Sequence, residues 1–113
     1  MATSYSSSHQ YSVVDGSVVY LSVTIGQAAI GSTLVILDGS HIVAGTGVQN
    51  FSLGDGATLR GRVMVITSSM VATNILTSNT VGLAGGASAQ SWTDQHSASP
   101  GDNVVYVSVV QFT

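Results

Sequence analysis

From Val18 onward the apolar residues recur at every second position, in segments too short to be anything but strands. Val19, Leu21, Val23 and Ile25 alternate with Val18, Tyr20, Ser22 and Thr24, a period of two built from β-branched and aromatic residues. The same texture returns at 33–37, 41–44, 48–53 and 57–67, more weakly at 70–76, 79–84 and 90–95, and last from Asn103 to Phe112. Asp38-Gly39 lies between two of these segments, and an Asp-Gly pair supplies the positive φ of a tight hairpin. Asp15-Gly16 and Asp55-Gly56 repeat the signal, and Asp102 follows Gly101, so the acidic residues read first as turn parts. No segment carries a helical stripe, and Gly26–Gly31 holds one turn at most. The pattern predicts an all-β chain with no substantial helix. It reads as a single antiparallel β-sandwich, immunoglobulin-like or jelly-roll, of about 8–9 short strands. The Cys and Trp spacing of true immunoglobulin domains is absent.

A length of 113 residues is that of one domain. Residues 1–10 are Ser-rich and polar, and are expected to form a flexible N-terminal arm ahead of a sandwich over 11–113. The arm has neither the basic nor the apolar region of a signal peptide. The expectation is synthesis and assembly inside the cell, or export with a signal already removed, to an extracellular or virion-like setting. No apolar run approaches the roughly 18–20 residues of a membrane helix, so no membrane insertion is expected.

Charge narrows the function classes. The chain has two Arg, five Asp, no Lys and no Glu, or 6% charged residues, where soluble domains carry about 25%. Two cations cannot make the basic stripe that phosphate contacts need, so nucleic acid is not an expected partner. Without cysteine there is no disulfide, no thiolate nucleophile and no thiolate metal site. No Glu or Lys is available for acid–base work, no Gly-x-Ser-x-Gly elbow occurs, and Gly54-Asp55-Gly56 is a turn with no lysine behind it. The chain is read as a non-enzyme without cofactors.

Trp92-Thr93-Asp94-Gln95-His96 gathers the ingredients of a ligand loop. Trp92 offers an aromatic face to a sugar, and Asp94, Gln95 and His96 offer planar polar groups to its hydroxyls. Asp94 and His96 stand two apart and share a face if the segment is extended. They could supply half a zinc shell, with His41 or Asp38 as a third ligand, but no spacing selects that set and no metal is assigned. Asn50-Phe51-Ser52 is a formal N-glycosylation sequon.

The segments Val18–Ile25 and Val104–Val110 are apolar on both faces, uncharged and free of proline, which marks strands that pair readily with others. Natural monomers guard such strands with Lys, and this chain has none. The candidate assembly surface comprises Tyr5 and Tyr11 of the arm, Arg60 and Arg62, and Val105, Val107 and Val109. Arg60 and Arg62 are expected side by side on one strand face, meeting solvent or the Asp residues of a neighbour. The leading expectation is a structural protein that self-associates through strand edges or sheet faces into a homo-oligomer or filament. A small carbohydrate-binding or adhesion module built on Trp92–His96 is the alternative. An accessory β-domain of a secretion, injection or phage-like apparatus is the third.

Overall fold

The computed structural model describes residues 2–113, which are nearly all β. The strands are β1 (Ala2–Tyr11), β2 (Val18–Gly26), β3 (Ile30–Leu37), β4 (Ser40–Gly45), β5 (Val48–Asp55), β6 (Val63–Val71), β7 (Leu76–Ala84), β8 (Gln90–Ser97) and β9 (Asn103–Phe112). One helical turn, α1 (Gly56–Leu59), joins β5 to β6. A five-stranded sheet runs β1-β9-β6-β3-β4 and a four-stranded sheet runs β5-β2-β7-β8. Only β3–β4 and β7–β8 are hairpins of consecutive strands. Every other connection crosses from one sheet to the other.

Turn chemistry behaves as the residues dictate. Asp38 and Gly39 both take positive φ, 48° and 82°, as the two central residues of the β3–β4 hairpin, the geometry that Asp-Gly makes cheap. Asp55 caps α1 by accepting from Ala57 N at 2.8 Å and also accepts from Gly16 N at 3.2 Å. Asp102 accepts from Ser99 N at 2.9 Å.

The two sheets share one main core of Leu21, Val35, Ile66, Val81 and Phe112 with their neighbours, all fully or nearly fully buried. Each such side chain contributes about 1.5–3 kcal/mol by leaving water. A smaller cluster of Met70, Val104 and Tyr106 fills the far end, with Tyr5 and Ile25 packed on it.

Four expectations are corrected. Of the residues expected to form a flexible arm, 2–10 belong to strand β1 instead, paired in parallel with β9 from Ala2↔Asn103 to Tyr11↔Phe112, and Met1 lies outside the described residues. The fold is therefore not wholly antiparallel. Backbone ladder bonds from a strand a hundred residues away order a segment whose own composition is soluble and polar. The strand expected over 57–67 begins only at Val63, because the Asp55 cap and Gly61 (φ 85°) build a helical turn and its exit first. Arg60 and Arg62 consequently precede β6 and do not share a strand face. Each pairs within its own chain, Arg60 with Asp15 and Arg62 with Asp38 at 3.6 Å. These pairs are about half exposed, and such pairs contribute little.

Candidate functional site

Trp92–His96 is not a loop. It lies within β8, the edge strand beside β7, and its side chains alternate as a strand requires: Trp92, Asp94 and His96 half-buried, Gln95 exposed. The shared face of Asp94 and His96 is observed, and it turns inward. What it meets is β1, whose Tyr5, Ser7 and His9 are likewise half-buried while Ser4, Ser6, Ser8 and Gln10 are exposed.

The two edge strands interlock residue by residue. Tyr5 stacks on His96 with ring centroids 3.6 Å apart and parallel planes. Ser7 Oγ donates to Asp94 Oδ2 at 3.4 Å. His9 stacks on Trp92 at 3.8 Å, and its Nε2 lies 3.1 Å from Ser7 Oγ. One ring face of Trp92 is covered by a histidine of the same chain. Tyr5 is inside this seam and Tyr11 is 1% exposed, edge-on to Phe112 and accepting from Gly86 N at 2.9 Å. Within the single chain, both tyrosines are taken up between the sheets and neither lies on the outer face.

Ser7, His9 and Asp94 are triad residue types in the wrong order. A catalytic carboxylate orients the histidine, which then takes the serine proton. Here the carboxylate meets the serine, and among the described residues His9 has no acidic partner. His41 and Asp38 lie in the β3–β4 hairpin, at the opposite edge of the five-stranded sheet from β1. They do not complete a metal shell with Asp94 and His96, and among the described residues no three acidic, His or Cys groups could hold a metal.

Behind the seam the interior is polar. Tyr106 Oη donates to the Thr77 carbonyl at 3.0 Å and lies 2.8 Å from Thr77 Oγ1, tying the sheets together. Asn79 and Ser108 are fully buried, and neither side chain finds a hydrogen-bond partner among the described residues. Burial pushes the Tyr106 phenol above its usual value, against the hydrogen bond from Thr77 that lowers it. A phenol pKa raised on folding means the native state holds its proton longer than the unfolded chain does. The stability that results is full below about pH 10. It is lost as pH rises through the folded value. Tyr106→Phe leaves the Thr77 hydroxyl and carbonyl without this partner, so it should be less stable than the parent at pH 7 by about 1–2 kcal/mol. It should also lose less stability between pH 9 and 11, as thermal melts across that range would read.

The second feature is the outer face of the five-stranded sheet. In β9, Val104, Tyr106, Ser108, Val110 and Phe112 are buried, and Val105, Val107 and Val109 are half-exposed on the other side. Val109, Val65 and Ile36 are neighbours across three strands, as are Val107, Thr67 and Leu34. No Asp, Glu, Lys or Arg occurs in any of the five strands of this sheet. Of the expected assembly residues, the structure brings Val105, Val107 and Val109 together here; Arg60 and Arg62 are in the link ahead of β6. Val65, Leu34 and Ile36 complete the patch. Sequence reasoning missed them, although their apolar alternation with buried neighbours was the available signal.

No protein-family model, curated protein or solved structure matches the chain.

Proposed function

We propose that this chain is a non-enzymatic β-sandwich subunit that associates with copies of itself through the outer face of its five-stranded sheet. The observation that carries the reading is that face: an apolar patch of Val105, Val107, Val109, Val65, Leu34 and Ile36 interrupted by Thr67, a polar rim of Ser4, Ser6, Ser8 and Gln10 along β1, and no charge in any strand of the sheet. Sheets stack face to face at about 10 Å when their facing side chains are apolar. Five strands about 4.8 Å apart and about eight residues long span a face of roughly 600 Å². Two such faces meeting would bury about 1,200 Å² in total, within the size class of specific interfaces. A face with no charge of either sign is compatible with itself, which is what a symmetric contact between copies requires. The glycan reading has less support, because one Trp92 ring face is covered by His9.

Light scattering of the parent protein against concentration tests the proposal, together with Val107→Lys. The parent should form multimers, strengthened by sulfate and insensitive to screening by chloride, as apolar contacts are. Val107→Lys should remain monomeric at concentrations where the parent does not. A parent that stays monomeric throughout would sink the proposal.

A further inference from the structure

We propose that the groove between the β9 edge and β8 is a binding site for the segment Thr3–Tyr11, filled in the assembly by β1 of a second copy. The inference rests on the self-association reading and names the element that would link one copy to the next.

β1 is the odd strand of this fold. It makes the one parallel pairing among the described residues, and without it the remaining strands form two four-stranded sheets whose every pairing is antiparallel. Its attachment is that of a bound peptide. A ladder along β9 supplies backbone hydrogen bonds, and alternate side chains enter the space between the sheets, the division of labour in β-strand addition. The groove reads the segment in detail: His96 takes Tyr5, Asp94 takes Ser7, Trp92 takes His9, and Phe112 with the Gly86 amide takes Tyr11. An occupant lacking this order of aromatic, hydroxyl and imidazole groups would leave half-buried polar groups unmatched. The chemistry therefore specifies this chain's own segment, whether from the same copy or another.

The link that decides between them is short and turned. Ser17 N bonds back to Val14 O across Asp15-Gly16, and Gly16 has φ 81°. Straightening that turn carries β1 off its own body as a unit and leaves its contacts to be remade identically on a neighbour. Exchange of an identical element costs little beyond the hinge, and when it does not close on itself it propagates as a filament. The β9 edge offers no obstacle, since all ten residues from Asn103 to Phe112 are uncharged and none is proline.

The chain has no cysteine, which makes a disulfide test clean. Ser8 and Val109 are register partners on the outer face of β1 and β9, at the spacing of adjacent strands, about 4.8 Å, which lies inside the Cα window of a disulfide. Mass-tagged Ser8→Cys protein and untagged Val109→Cys protein are unfolded together, refolded at an assembling concentration and oxidised. Exchange predicts a mixed-mass disulfide dimer that dominates over both self-paired products. It also predicts that the double variant shifts from a single-chain band to a ladder of covalent multimers. If light scattering shows multimers but the double variant closes only on itself and no mixed dimer forms, exchange is overturned and face stacking stands. If only monomer and self-closure are seen, both fall. Ser6→Cys with Val107→Cys, one row along the same ladder, repeats the test should the first pair fold poorly.

Discussion

Val110→Lys should abolish folding while Val109→Lys, one residue away, leaves the fold nearly intact. Val110 is 0% exposed and packs in the main core with Met64, its register partner on β6, and with Phe112. A lysine there must either bury an unpaired ammonium or pull the strand apart to reach water. Either outcome costs more than about 3–5 kcal/mol, against a total stability of about 5–15 kcal/mol for a domain of this kind. Val109 points the other way, half-exposed between Ser8 and Val65. A lysine at such a position can lay its stem along the neighbouring valines with its charge in water. The stability change should stay within about 1 kcal/mol, and the variant's main effect should be loss of multimers. Circular dichroism melts separate the two. Equal loss in both variants would mean that the outer face of β9 is covered within the single chain, and the assembly reading would lose its surface.

That contrast also marks where the sequence stops being legible. The period of two in Asn103–Phe112 is plain, but between its ends the inward set holds Tyr106 and Ser108 while the outward set holds the valines at 105, 107 and 109. Over its middle, hydrophobicity alone does not pick the inward face; only the ends, with Asn103 and Gln111 outward and Phe112 inward, tip the choice. Tyr106 goes inward because its hydroxyl finds Thr77 on the opposite sheet, a partner 29 residues away that no local pattern reveals. The Asp-Gly turns were readable because their cause is local: the backbone needs positive φ and those residues supply it. β1 was not, because Tyr5, Ser7 and His9 alternate without being apolar. Their order comes from β9 and β8, at the other end of the chain. Asp94 and His96 were legible as a same-face pair, and their role beside Trp92 was not. Sequence could show that they line up but not that another strand already covers them.

Gly85→Ala should be the most damaging of the small substitutions, lowering stability by about 3 kcal/mol or more. Gly85 has φ 92°, where an L side chain costs about 1–2 kcal/mol by itself. A Cβ there would also run into the Val18 carbonyl oxygen, and would lie 2.9 Å from the Val18 carbonyl carbon and 3.2 Å from Val19 Cα. These are backbone atoms at the start of β2 and cannot swing aside, so β7 and β2 would have to separate where they are joined. The Ser17 Oγ donation to Gly85 O at 2.6 Å would be disturbed with them. Gly54→Ala is the control, since Gly54 also has positive φ, 111°, but nothing stands within 4 Å of the place an alanine methyl would take. It should lose only the backbone part, about 1–2 kcal/mol. At about 4–8 °C per kcal/mol for a domain near this size, the two melting temperatures should be clearly resolved. Equal melting would show that β2 yields freely at Val18. The comparison bears on assembly because the Gly85-Gly86 turn holds the β1–β2 link. Gly86 N donates to Tyr11 Oη and Ala87 N to Ser12 O. A turn pushed away from that link frees the hinge, so Gly85→Ala should lose cooperativity of β1 first, seen as early hydrogen exchange over residues 3–11. Under the exchange proposal, the same variant should raise the yield of mixed Ser8–Val109 disulfides relative to the parent background.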